Sequence, residues 1–72
     1  MPKSIHSQEY RKVVEKLKEA RQESELKQTE VAEKLGVPQS FVSKVERGER
    51  RLDITELKRF ADVYKKPLSF FV

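Results

Sequence analysis

Apolar residues recur along this chain in helical steps, block by block, with turn signals between the blocks. Tyr10, Val13, Val14, Leu17 and Ala20 follow at three- and four-residue intervals, which puts them on one stripe of a first helix over Gln8–Glu23. Ser7 reads as its N-cap, and Glu9 suits the positive end of the helix dipole. Leu26 plugs the core in the connection that follows. Val31, Ala32 and Leu35 form the inward face of a second helix over Gln28–Leu35, which Gly36 stops by taking a left-handed conformation. Pro38 sits at the start of a third helix, where a missing amide hydrogen costs nothing. That helix covers residues 39–47, buries Val42 and Val45, and ends at Gly48. Asp53 caps a fourth helix and Glu56 completes a capping box. Its stripe is Ile54, Leu57, Phe60, Ala61 and Tyr64, and the run Lys65, Lys66, Pro67 breaks it. Leu68, Phe70, Phe71 and Val72 then form a short fifth helix or turn. The expectation is an all-α, compact five-helix domain over residues 8–72, preceded by a flexible arm over residues 1–7. No β-alternation or repeat interrupts this pattern.

Composition narrows the class. Seventy-two residues hold one domain at most. There is no cysteine, so disulfides and thiolate metal sites are excluded. No apolar run approaches the length of a membrane span, and no apolar signal core follows the first residues. The net charge is +4 and the pI about 9.5, which favours a polyanionic partner. Between Lys27 and Arg51, however, six basic residues face four acidic ones. Attraction to a polyanion is therefore modest there, and selectivity has to come from placed side chains. His6 lacks a companion for a metal site, and no nucleophile stands beside a base, so metal, cofactor and enzyme readings are set aside.

The second and third helices carry the functional signal. Ala32 lies four residues before Gly36, Val42 six after it and Val45 three further on. A small residue lets one helix cross another closely, and the glycine permits a tight turn between them. This is the arrangement of a helix-turn-helix, whose second helix can enter a DNA major groove.

Gln28, Val31, Ala32, Leu35, Gly36, Val37, Val42, Val45, Glu46 and Gly48 together resemble the Cro/phage-repressor (XRE-type) helix-turn-helix family, over roughly residues 14–71. The resemblance implies a five-helix, sequence-specific regulator of bacterial or phage origin. It would bind double-stranded operator DNA as a homodimer and act as a repressor or autoregulator. It also implies residue roles. Gln39, Ser40, Ser43 and Lys44 match base-contacting positions of the recognition helix. Glutamine suits adenine and lysine suits guanine. Gln28 matches a phosphate-contacting glutamine, and Arg47, Arg50 and Arg51 fall where phosphate is gripped. Arg21 and Glu46 match a structural ion pair that locks the recognition helix. Four residues depart from the family pattern. Glu25 and Lys65 replace glycines, Lys27 replaces a serine or threonine cap, and Glu49 stands where a basic residue is common.

Plainer readings compete. The polar face of the third helix and the arginines after it are also what a solvated surface looks like. Phe41 can touch a thymine methyl, or pack against the second helix or the loop near Leu52, and packing is favoured. At the C-terminus, Leu68 and Phe71 close the core, which leaves Phe70 and Val72 as an apolar edge for a dimer or another partner. The alternative function is an antitoxin-like or head-domain protein-interaction module of a larger regulator. The primary reading places the protein in the cytoplasm, associated with the nucleoid.

Overall fold

The computed structural model describes residues 8–72. The expected arm, the Ser7 cap and His6 lie outside the described residues. Among the described residues there are four α-helices: α1 (Gln8–Glu23), α2 (Gln28–Leu35), α3 (Gln39–Glu46) and α4 (Ile54–Tyr64). No strand occurs among the described residues. The first two helices have the expected bounds. The third stops one residue early, with Arg47 as its C-cap.

The expected fifth helix is not an α-helix. Leu68–Phe70 forms a single 3-10 turn. The Phe70 amide donates to Pro67 O at 2.9 Å and the Phe71 amide to Leu68 O at 3.0 Å. Residues three apart eclipse in this geometry, so Leu68 and Phe71 both reach the core from one tight turn.

All four helices end in the same way. Residues Glu25, Gly36, Gly48 and Lys65 have φ of 58°, 74°, 76° and 57° respectively. In each case the next residue's amide reaches back five positions. Leu26 donates to Arg21 O at 3.2 Å, Val37 to Ala32 O at 3.0 Å, Glu49 to Lys44 O at 2.8 Å, and Lys66 to Ala61 O at 3.0 Å. This is the Schellman closure of a helix. Glu25 and Lys65 therefore keep the turn that glycine usually makes, at the steric cost of a Cβ in the left-handed region. Glu25→Gly and Lys65→Gly are each expected to stabilise the domain by about 0.5–1 kcal/mol, after the greater chain entropy of glycine is subtracted. Urea unfolding should show a higher midpoint with an unchanged slope. An unchanged or lower midpoint would contradict this reading of the two turns.

The core follows the expected stripes. Leu17, Val31, Val42 and Val45 are fully buried, and Phe60 nearly so. Ala20 and Ala32 are also buried, and their small side chains let the neighbouring helices approach. The contacts between α2 and α3 are the most extensive of any pair, with α1 packed against α3, α4 packed against α2, and α1 and α4 touching each other. Ile54 departs from expectation: it is 56% exposed. As the first residue of α4 it overhangs the core that Leu57, Phe60, Ala61 and Tyr64 close. Phe41 packs rather than standing free, and its ring stacks on Phe60 with centroids 6.3 Å apart.

Candidate nucleic-acid interface

Burying Val42, Val45 and Glu46 turns the opposite face of α3 outward. Gln39, Ser40 and Lys44 are exposed on it and Ser43 is half-buried. With 3.6 residues per turn, positions 39, 40, 43, 44 and 47 share this side. The structure thus groups the four expected base-contacting residues on one surface, and Arg47 continues it.

A chain of polar contacts holds that surface from beneath. Arg21 Nε donates to Glu46 Oε2 at 2.7 Å, its Nη2 donates to Glu46 Oε1 at 3.1 Å, and its Nη1 donates to Leu26 O at 3.0 Å. The hydrogen bond to Glu46 raises the Arg21 pKa above its ordinary value, against the opposing effect of burial. Gln28 Nε2 donates to Glu46 Oε1 at 3.0 Å, and Gln39 Nε2 donates to Gln28 Oε1 at 2.7 Å. The polarity of this chain follows from its first acceptor. A carboxylate only accepts, so Gln28 turns its NH2 group toward Glu46 and its oxygen toward Gln39. Gln39 must then offer its own NH2 group. Its carbonyl oxygen and second amide hydrogen are left to act together, which is the donor–acceptor pair that matches the N6 and N7 atoms of adenine. Tyr64 lies close to this ion pair. Burial pushes its hydroxyl far above the usual tyrosine range, and the Glu46 charge adds to the effect.

The basic residues differ in their engagement. The Lys44 side chain is exposed, and its ammonium group makes no hydrogen bond or ion pair among the described residues. Arg47 is bound twice to Glu49 and once to Ser43. Arg50 donates to Glu56 Oε2 at 3.1 Å and to Arg51 O at 2.9 Å, and lies 4.4 Å from the centre of the Phe41 ring. Arg51 is exposed and rests 4.8 Å over the Tyr10 ring.

Three supporting residues were not singled out for this role by sequence reasoning. Tyr10 was read only as part of the α1 stripe, yet its hydroxyl accepts from the Leu52 amide at 3.0 Å and donates to Arg50 O at 3.3 Å. It ties the arginine loop to α1. Glu56 was read as a cap. Its Oε1 does accept from the Asp53 amide at 3.0 Å, while its other oxygen holds Arg50. Phe41 serves as a platform for Arg50. At the head of α2, Glu30 accepts from the Lys27 amide at 2.7 Å, which is half a capping box. An ammonium group cannot supply the other half.

The C-terminal edge is uneven. Phe70 is partly buried, with its ring edge-on to Phe71 at 5.1 Å. Lys16 and Lys66 lie 4.9 and 4.7 Å from the ring centre. Val72 is 77% exposed. It borders an open groove of about 410 Å³ whose lining includes Tyr10, Val13, Arg51 and Phe71.

No group of three or more histidine, cysteine, aspartate or glutamate side chains among the described residues is placed to hold a metal ion. No described helix is long and apolar enough to cross a membrane.

The family model described as "Helix-turn-helix" (HTH_3) matches residues 17–71. The chain belongs to this XRE-type helix-turn-helix family of DNA-binding transcription regulators. No curated protein and no solved structure matches it.

Proposed function

We propose that this chain is a repressor or autoregulator that occupies an operator in double-stranded DNA as a homodimer. Gln39, Ser40, Ser43 and Lys44 read base edges in the major groove. Gln28, Arg47, Arg50 and Arg51 fix the domain on phosphate. The observation that carries this reading is the polar chain from Arg21 and Glu46 through Gln28 to Gln39, which sets the donor–acceptor order of an exposed side chain at the head of α3. A solvated surface glutamine has no need of such a support. The action is occupancy of a site, in the cytoplasm and at the nucleoid of a bacterium, or of the host of a phage.

The exposed Val72 and the partly covered Phe70 support a C-terminal edge at which a second copy docks. A two-fold dimer places its recognition helices in major grooves about one helical turn apart. The same edge motivates a second reading, a head domain that engages another protein. Sedimentation of the chain alone separates the two, since a strict monomer that binds no operator supports the second.

Arg51 offers a quantitative test of the phosphate assignment. Each phosphate neutralised by a cationic side chain releases counterions, so log Kd varies with log salt in proportion to the number of contacts. Arg51→Ala should lower that slope by about one unit per subunit. The readout is titration of a labelled duplex at several salt concentrations. An unchanged slope removes Arg51 from the interface.

A further inference from the structure

Among the described residues, the Glu49 carboxylate accepts hydrogen bonds from one side chain, Arg47, an arginine of the proposed interface. Gly48 takes the left-handed conformation, and the Glu49 amide closes on Lys44 O at 2.8 Å. That turn folds Glu49 back beside Arg47, two positions earlier, where a continuing helix would have separated them. Arg47 Nε donates to Glu49 Oε2 and Nη2 donates to Oε1, both at 3.1 Å. The remaining nitrogen, Nη1, donates to Ser43 Oγ at 2.7 Å. All three guanidinium nitrogens thus have acceptors, and one of these acceptors is itself a candidate base-contacting residue.

The pair adds little to the fold. The Arg47 and Glu49 side chains are 56% and 54% exposed, and exposed ion pairs contribute little to stability. The comparable pair of Arg50 and Glu56 is different, because Glu56 also caps α4 and is half-buried. Glu49 has no such second task. Its bidentate geometry is the one that a phosphate offers an arginine.

We infer that Glu49 acts as an internal stand-in for phosphate. It occupies Arg47, keeps Arg47 and Ser43 joined, and holds down affinity for DNA of any sequence. This inference rests on the DNA-binding reading above. When DNA docks, a backbone phosphate must displace the Glu49 carboxylate from Arg47, and the displaced negative charge then lies beside a polyanion. The restraint operates at neutral pH. The Arg47 hydrogen bond and charge lower the Glu49 pKa from the ordinary 4.5, with a smaller contribution from Lys44. A depressed carboxylate loses its pairing only as pH falls below that value.

The test uses the full chain and duplexes of arbitrary sequence, titrated across a range of salt. Glu49→Gln should tighten binding roughly three- to tenfold and steepen the salt slope by about one unit. In an Arg47→Ala background the same change should no longer steepen the slope, because no cation is released to phosphate. Equal or weaker binding by Glu49→Gln would overturn the inference while leaving the DNA reading intact. Absence of duplex binding by the unaltered chain at every salt concentration would overturn the DNA reading and this inference with it.

Discussion

Glu46→Ala is expected to destabilise the domain by about 3 kcal/mol. For a chain of this size that is a fall in melting temperature of roughly 12–24 °C. The Glu46 side chain is 5% exposed and that of Arg21 19%. Truncation leaves the guanidinium largely out of water with Leu26 O as its remaining acceptor among the described residues, and it removes the acceptor of Gln28 Nε2. Most of the loss comes from stranding these donors rather than from the worth of the pair itself. Removing both charges, as Arg21→Met with Glu46→Leu, should therefore be much milder than Glu46→Ala alone. Thermal and urea unfolding of the three proteins decides this. A loss under 1 kcal/mol for Glu46→Ala would show that water enters and solvates Arg21.

Lys44→Ala is expected to leave stability unchanged and to relax discrimination at one base pair by ~1–3 kcal/mol. The Lys44 side chain is exposed and its ammonium group has no hydrogen-bond or ion-pair partner among the described residues, so its removal strands nothing. Its position is about one turn along the same face from Gln39 and Ser40, and its ammonium group suits the O6 and N7 atoms of guanine. Competition between duplexes that differ at single positions measures the effect. Equal weakening on every sequence would make Lys44 a phosphate contact, and the base assignment would fail.

The helices were legible because their ends carry chemical signals. Gly36 and Pro38 bracket the turn between α2 and α3, and Asp53 with Glu56 marks the start of α4. The left-handed ends at Glu25 and Lys65 were not legible from residue type, since neither favours that conformation. Only the resemblance marked those positions as places for glycine. Ile54 fitted the apolar period of α4 but lies beyond the core, because a period states which face a residue shares and not how far the neighbouring layer extends. The fifth helix failed for a similar reason. Leu68 and Phe71 satisfy a three-residue spacing that one 3-10 turn meets as well as an α-helix does.

Site residues divide along the same line. The outward face of α3 followed from its buried stripe. Arg21 and Glu46 came from the resemblance, and the structure brings them together across 25 positions. The contacts of Gln39 with Gln28, Tyr10 with Leu52, and Arg50 with Phe41 depend on how the helices cross, which no periodicity encodes. Arg47 and Glu49 required the turn at Gly48, since side chains two apart on a helix do not face one another.

Selection of binders from a randomised duplex library, with the unaltered chain at physiological salt, tests the central claim most directly. The account predicts an enriched inverted repeat whose half-sites lie about one helical turn apart, with an A·T pair where Gln39 reads. No enrichment of any sequence would contradict it.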